Sequence, residues 1–365
     1  MIDLGVTTPP ASMVVYVGTY TGDKSRGIYK FEIDTRAAKM SEPQLAAETT
    51  SPSFLAADPH GQFVYACNEI GNFGGKPSGA VTSFKVDPST GSLSQVSQQP
   101  SGGSGPCYVS VTRDGRYVFA ANYGSGSVAA LPADESGKLS PPSSAIQHTG
   151  SSAHPQRQKG PHAHSIQPDP TGRFAFAVDL GIDQILIYGF EAGELVRREE
   201  GVVKVEPGRG PRHVAFHPNG RLVYACNEMG NSVTAYAYDS QRGTMQELQT
   251  TTTLPADFQG ENTTAEVRVH PSGKFLYVSN RGHDSIAILS VADDGTLTPR
   301  GHEPSRGKSP RGYAIDPSGS FLLAANHRSD NIVLFRISPE TGALEFADEL
   351  KGINQPVAIL FLPQN

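Results

Sequence analysis

The segment GPRHVAFHPNGRLVYACNEMG, residues 210–230, contains the unit that decides the fold: a short apolar strand, a glycine turn, an aromatic strand and then Asn. Six copies of this unit follow one another along the chain. Their glycines are separated by 54, 57, 48, 53 and 46 residues and stand at Gly61, Gly115, Gly172, Gly220, Gly273 and Gly319. Periods of this length are typical of repeats that each form one four-stranded blade.

The two ends of the chain together supply a seventh unit. Near the N-terminus, VVYVGTY and GIYKFEID match the second and third strands of the unit, and QPVAILFLP near the C-terminus matches its missing first strand. Pairing these ends would close a ring and remove both exposed sheet edges. The sequence therefore predicts an all-β fold, a seven-bladed β-propeller with four antiparallel strands per blade. We expect a flexible segment over residues 1–12 and a single domain over residues 13–365.

Composition narrows the possible partners and the compartment. The 365 residues include 39 Gly and 28 Pro, carry a net charge of -6 and show no run of Lys or Arg, which argues against nucleic-acid binding. No apolar run has the length of a membrane span, and MIDLGVTTPPASM lacks the features of a signal peptide. We expect a cytoplasmic protein that is a monomer or weak homo-oligomer, with Cys67, Cys107 and Cys226 as buried free thiols.

The repeated glycine also serves as a ruler for finding a site. If it marks the turn between first and second strands, residues eight before and eight after it lie at the opposite end, where propellers bind ligands. The positions eight before are Ser53, Cys107, His164, Arg212, Ala265, Arg311 and, on the last strand, Val357. The positions eight after are Tyr20, Glu69, Tyr123, Leu180, Glu228, Arg281 and His327. Such varied polar residues indicate function.

Residues seven after the glycine are uniform instead. They are Asn68, Asn122, Asp179, Asn227, Asn280 and Asn326. An Asn or Asp at every strand end is expected to bond nearby backbone, so we interpret these side chains as structural.

The candidates are densest in GPHAHS, GPRHV, CNEMG and NRGHDS, which bring His162, His164, Arg212, His213, Glu228, Arg281, His283 and Asp284 into consideration. A carboxylate facing Arg and His can move a proton and stabilise an oxyanion. Zinc is the rival explanation for His162 and His164, but no Cys cluster accompanies them and the arginines would repel a cation. We therefore predict neither metal nor cofactor. No GxSxG, Walker A, HExxH or strand-to-helix GxGxxG motif is present.

Three blocks in order carry a family resemblance: PHAHSIQPDPTGRFAFAVDLGIDQILIY, GPRHVAFHPNGRLVYACNEMGNSV and GENTTAEVRVHPSGKFLYVSNRGHDSIAI. Over nearly its whole length, the chain resembles the lactonase family of seven-bladed propellers. The resemblance implies metal-independent hydrolysis of 6-phospho-D-glucono-1,5-lactone, a phosphorylated sugar lactone of the oxidative pentose phosphate pathway. Related fungal enzymes close carboxymuconate into a lactone with a His, Arg, Glu and Arg set that His164, Arg212, Glu228 and Arg281 match. His162 is the alternative to His164.

These observations assign provisional roles. Glu228, alone or with His164, is expected to take a proton from water, Arg212 to stabilise the oxyanion, and a protonated His164 or His162 to donate to the leaving oxygen. The expected substrate-binding residues are His162, His213, Arg281, His283, Glu69, His327 and Arg311, with Arg281, Arg311 or His283 as candidates for the phosphate.

We expect Glu228→Gln and Arg212→Ala to remove most activity with little change in melting temperature. A lactonising cycloisomerase and a non-catalytic binding platform, which predicts an apolar mouth, are the alternatives.

Overall fold

The computed structural model describes residues 9–362, and every regular element in this range is a β-strand. The strands form seven antiparallel sheets, so the predicted seven-bladed propeller is confirmed. Most of the flexible segment predicted over residues 1–12 lies outside the described residues. Within the described range, no helix is long and apolar enough to cross a membrane.

Consecutive strands build each blade from the channel outward. Blade 1 contains β1 (Ser12–Thr19), β2 (Gly27–Asp34), β3 (Lys39–Met40) and β4 (Gln44–Glu48). Blade 2 contains β5 (Pro52–Ala57), β6 (Phe63–Asn68), β7 (Ala80–Val86) and β8 (Leu93–Pro100). Blade 3 contains β9 (Pro106–Val111), β10 (Tyr117–Asn122), β11 (Ser127–Pro132) and β12 (Ser144–Gln147).

The later blades repeat this order. Blade 4 contains β13 (Ala163–Pro168), β14 (Phe174–Asp179), β15 (Gln184–Glu191), β16 (Glu194–Val196) and β17 (Val202–Lys204). Blade 5 contains β18 (Pro211–Phe216), β19 (Leu222–Asn227), β20 (Ser232–Asp239) and β21 (Thr244–Thr252). Blade 6 contains β22 (Thr263–Val269), β23 (Phe275–Arg281), β24 (Ser285–Val291) and β25 (Leu297–Pro304). Blade 7 contains β26 (Pro310–Ile315), β27 (Phe321–Asn326), β28 (Asn331–Ile337) and β29 (Leu344–Lys351).

The final strand, β30 (Pro356–Phe361), closes the ring by joining blade 1. It pairs antiparallel with β1, with Val15 opposite Phe361 and Val17 opposite Ile359. This is the predicted pairing of the chain ends. It gives blade 1 its innermost strand and leaves no open edge between the first and last blades.

Buried tyrosines on the second strands tie one blade to the next. Their hydroxyls donate to carbonyl oxygens in outer turns of the following blade, at 2.7 Å from Tyr16 to Gly91, 3.3 Å from Tyr224 to Gly295 and 2.8 Å from Tyr277 to Gly342. Each ring is buried in an apolar cluster that spans two blades. The aromatic position of the repeat is therefore a contact between blades, with its polar end satisfied.

The repeated glycines occupy the turns between first and second strands, as the ruler assumes. All six have positive φ, from 66° at Gly61 to 76° at Gly319, a conformation that favours glycine. At the opposite strand ends, the repeated Asn and Asp side chains are fully buried, and all except that of Asn227 bond to backbone. For example, Asn122 donates to the Ser101 carbonyl at 3.0 Å and Asn326 to the Ser305 carbonyl at 2.9 Å. Each bond fixes the chain segment that enters a blade.

Candidate active site

A polar cavity of about 390 Å³ lies at the end of the channel opposite the glycine turns. It is lined by Tyr20, Glu69, Cys107, Tyr123, Arg157, His164, Glu228, Thr263, Arg281 and Arg311. Eight of these ten residues belong to the two rings that the ruler selects, and the other two are Arg157 and Thr263. The sequence therefore located the face and most of its lining.

A β-bulge explains why the residues eight before the glycine reach this mouth. In every blade, the pairing of the innermost strand with its neighbour shifts register at the mouth end. The shift leaves the residue eight before the glycine without a partner on the facing strand, as for His164, Arg212 and Arg311. A bulge turns a side chain out of the regular alternation, so these positions are re-aimed next to the cavity.

Glu228 is the electrostatic centre of the site. Its side chain is 5% exposed, accepts a hydrogen bond from Arg157 Nη2 at 2.6 Å and forms ion pairs with Arg212 Nε at 3.1 Å and Arg281 Nη2 at 2.9 Å. Burial alone would raise the pKa of Glu228, but the three guanidinium groups hold it well below its usual value. The carboxylate therefore stays ionised, and its capacity to accept a proton from water is weak.

Arg212 lies behind Glu228 and does not line the cavity. Its side chain is 3% exposed, and besides the carboxylate it contacts the carbonyl of Ala265. Both contacts hold the guanidinium outside the lining of the cavity. This placement favours a role for Arg212 in holding Glu228 over the predicted contact with an oxyanion.

Arg311 is the cation that faces the cavity without a carboxylate partner. Within residues 9–362 it forms no ion pair, and its guanidinium carbon lies 5.5 Å from the centre of the Tyr20 ring. Tyr20 in turn donates to Glu69 Oε2 at 2.9 Å. Although burial opposes its charge, nearby Tyr20 and Glu69 raise the pKa of Arg311, so it stays protonated. An unpaired guanidinium here can bind a developing oxyanion.

His164 is the histidine that lines the cavity. Burial and the nearby Arg212 lower its pKa well below 6.5, so the imidazole is neutral at neutral pH. Its Nδ1 lies 3.6 Å from Cys107 Sγ, and its Nε2 has no hydrogen-bond partner within residues 9–362. A neutral imidazole with one nitrogen free can accept a proton. His162 instead stacks on the outer face of this site, with its ring 4.5 Å from that of Tyr123.

The other predicted histidines do not line the cavity. His213 is buried in the channel, 3.1 Å from Glu266 Oε1, and burial lowers its pKa to about 4. His283 packs against Phe258 and His302 on the surface of blade 6. His327 lies behind Tyr20, with ring centres 5.5 Å apart. Direct substrate contact was predicted for all three, and the structure places none of them at the cavity.

Arg157 is the charged lining residue that the ruler missed. It belongs to the loop of residues 148–162 between β12 and β13, outside the repeat. The loop is held by Gln158, which is fully buried and donates to the Leu180 carbonyl at 2.8 Å and to Asp183 Oδ2 at 2.7 Å. The sequence did carry a signal, because the largest glycine spacing, 57 residues, falls between Gly115 and Gly172 and includes this loop.

The opposite mouth of the channel offers a contrasting surface. A cavity of about 580 Å³ there is lined mainly by apolar side chains, including Phe54, Phe216 and Ile315, with Arg268 as its only arginine or lysine among the described residues. The three cysteines are all buried and free, as predicted. Titratable groups able to act on a polar substrate are therefore concentrated at the first mouth.

The fold and the site together define a class: a seven-bladed propeller with acid, base and cationic groups gathered at one end of its channel. Within that class, the chain belongs to the lactonase family of seven-bladed β-propellers, whose sequence profile matches residues 14–361. The predicted resemblance is confirmed.

Named relatives are similar to the chain over almost its full length. The 6-phosphogluconolactonase of Bacillus subtilis is 37% identical over 350 residues, covering 96% of this chain and 98% of the relative. The 6-phosphogluconolactonase of Formosa agariphila is 36% identical, covering 91% and 94%. Among solved structures, the periplasmic gluconolactonase of Pseudomonas aeruginosa superposes with a TM-score of 0.90 at 33% identity, covering 96% and 99%.

Proposed function

We propose that this protein is a lactone hydrolase that converts 6-phospho-D-glucono-1,5-lactone to 6-phosphogluconate. The observation that carries the proposal is the excess of positive charge beside a neutral histidine. Three arginines and two carboxylates line the cavity, and a fourth arginine lies directly behind Glu228. Such a site favours an anionic substrate whose reaction develops further negative charge. The identity of the proposed substrate is taken from the relatives named 6-phosphogluconolactonase.

In the proposed mechanism, His164 is the base. Its neutral imidazole takes a proton from water while the oxygen attacks the lactone carbonyl carbon, forming a tetrahedral oxyanion. Arg311 stabilises this oxyanion. As the carbonyl re-forms, the bond from C1 to the ring oxygen breaks and the imidazolium returns its proton to that oxygen. Because burial lowers the pKa of His164, the imidazolium is a strong acid for this second transfer.

Glu228 acts through binding and charge in this scheme. Its pKa is too low for efficient proton abstraction at neutral pH, so the base role passes to His164. The carboxylate positions Arg157 and Arg281 at the cavity wall, and it can accept a hydrogen bond from a sugar hydroxyl. Every step uses a side chain of this chain, and the proposal includes no metal or cofactor.

A lactone panel tests the proposal. Initial rates are measured by pH-stat for 6-phosphogluconolactone, unphosphorylated gluconolactone and a muconate, each corrected for spontaneous reaction. We expect saturable hydrolysis of 6-phosphogluconolactone. Turnover of the muconate alone would favour a cycloisomerase, and binding of a sugar lactone without turnover would favour a binding platform. Either result contradicts the proposal.

The proposal also includes the cellular compartment and the oligomeric state of the protein. A phosphorylated sugar lactone is a metabolite of the cell interior, so we place the protein in the cytoplasm, as a monomer or weak homo-oligomer. Cell fractionation and light scattering of the purified protein test these two statements. Recovery in the periplasm, or a tight oligomer at micromolar concentration, would contradict them.

A further inference from the structure

A groove of about 710 Å³ adjoins the active-site cavity. Arg157, Thr263 and Arg281 line both spaces and form the wall between them. His164 and Arg311, which act on the carbonyl in the proposed mechanism, line only the cavity. A substrate with its carbonyl at His164 can therefore extend past the two shared arginines into the groove.

Two cationic side chains line the groove beyond the shared wall. Lys308 and Arg328 line it, and both are exposed. Within residues 9–362, Arg328 forms no ion pair. Lys308 Nζ lies 3.1 Å from Asp284 Oδ2, but the lysine side chain is 73% exposed, so this pair is weak and the ammonium group can turn toward a ligand.

Two acidic residues, Asp284 and Glu261, also line the groove. Asp284 is 14% exposed, and its other carboxylate oxygen accepts from the backbone N–H of Ser309 at 2.7 Å. Its charge is therefore directed into the protein. With Arg157 and Arg281 of the shared wall, which also pair with Glu228, four Lys or Arg side chains line the groove against the carboxylates of Asp284 and Glu261.

The proposed substrate has a phosphate group that can occupy the groove while its carbonyl lies in the cavity. The phosphate of 6-phosphogluconolactone is joined to the reacting carbonyl carbon through the ring oxygen, C5, C6 and the ester oxygen, so it projects outward from the ring. A phosphate monoester carries about -1.5 to -2 charges at neutral pH. Guanidinium and ammonium groups are the side chains that bind it best.

We infer that this groove is a phosphate subsite, in which Lys308 and Arg328 bind the 6-phosphate while Arg157 and Arg281 bridge it to the cavity. The inference rests on the proposed function. It makes Lys308 and Arg328 specificity residues that distinguish phosphorylated from unphosphorylated lactones and take no part in the chemical step. It replaces Arg311 and His283 as candidates for the phosphate.

The test compares two substrates in matched variants. The Lys308→Met, Arg328→Gln double variant is assayed on 6-phosphogluconolactone and on gluconolactone. Its control is Lys274→Met, Arg221→Gln, which removes the same two charges from exposed positions beside Gly273 and Gly220 at the far end of the propeller. All four side chains are exposed, and thermal unfolding verifies that both variants fold.

We expect kcat/KM on 6-phosphogluconolactone to fall roughly tenfold or more in the groove variant, mainly through KM. On gluconolactone it is expected to stay within about twofold, and the control is expected to leave both rates unchanged. An equal loss on both substrates, or no loss on either, would overturn the subsite while leaving lactone hydrolysis intact. If the wild type does not hydrolyse 6-phosphogluconolactone above background, the proposed function fails and the subsite with it.

Discussion

At the scale of single residues, the environment of Glu228 ties activity to stability. Three arginines share one buried carboxylate, and removing its charge leaves those cations unpaired in a poorly solvated site. From the sequence alone, Glu228→Gln was expected to spare the melting temperature. The structure changes that expectation.

We predict that Glu228→Gln lowers the free energy of unfolding by about 3–5 kcal/mol as well as removing most activity. Urea unfolding of the purified variant measures the first effect. The matched control is Glu69→Gln, because Glu69 lines the same cavity but has no arginine partner within residues 9–362. We expect its stability to change by less than about 1 kcal/mol. Equal stability of wild type and Glu228→Gln would contradict the account.

The state of His164 predicts the pH dependence of catalysis. Catalysis needs the neutral imidazole, and burial lowers the pKa of His164 well below the ordinary value of 6.5. The neutral form therefore persists on acidification through pH 6.5, and kcat/KM should decline only below it. A pH profile of kcat/KM, corrected for spontaneous hydrolysis, measures this. A half-maximal point at or above pH 6.5 would show that the active-site base is not this histidine.

The sequence could predict which positions face the mouth but not how each side chain is directed there. The ruler found His164, Glu228 and Arg311 because the repeat fixes their place along the strand. The sequence assigned Arg212 to the oxyanion, because a bulge and a buried ion pair, which depend on neighbouring blades, cannot be read from one strand. For the same reason it predicted substrate contacts for His213 and His327, which the structure places outside the lining of the cavity.

At the scale of elements, the loop of residues 148–162 is the part of the site that departs from the repeat. It carries Arg157 to Glu228, and its conformation depends on Gln158, which bonds to the next blade. Loops without a repeated pattern have no ruler, so the sequence could not place Arg157. The unusual spacing between glycines was the available sign.

We predict that Gln158→Ala lowers the free energy of unfolding by about 1–3 kcal/mol, since it leaves the buried Asp183 and the Leu180 carbonyl short of a donor. It should also reduce kcat/KM, because Arg157 loses its support. Gln156→Ala, in the exposed part of the same loop, is the control and should change neither quantity. Denaturant unfolding and steady-state kinetics measure both. Similar behaviour of the two variants would contradict the anchoring role of Gln158.

At the scale of the whole molecule, architecture followed from the sequence almost completely. The glycine repeat, the split seventh unit and the closure of the ring are local or near-local patterns, and each appears in the structure as predicted. The protonation states of the histidines are harder to predict from local sequence patterns. The burial of several histidines inside the channel and its mouth depends on the closed ring, and it makes stability sensitive to pH.

We predict that the melting temperature falls as pH decreases from 6.5 toward 4. Burial lowers the pKa values of His213 and His327 to about 4, and that of His164 is also lowered. The unfolded chain, with ordinary histidines, therefore binds more protons in this range, and acidification favours unfolding. Scanning calorimetry across the range measures the effect. A constant or rising melting temperature would contradict the neutral state of these histidines.

The central claim is that the mouth containing His164 and Arg311 hydrolyses a phosphorylated sugar lactone. Its most direct test is the initial rate of 6-phosphogluconolactone hydrolysis, above the spontaneous rate, for wild type, His164→Ala and Gln167→Ala, the last at the opposite mouth. The account predicts a loss of roughly 100-fold or more in folded His164→Ala and a nearly unchanged rate in Gln167→Ala. A wild-type rate in His164→Ala would contradict it.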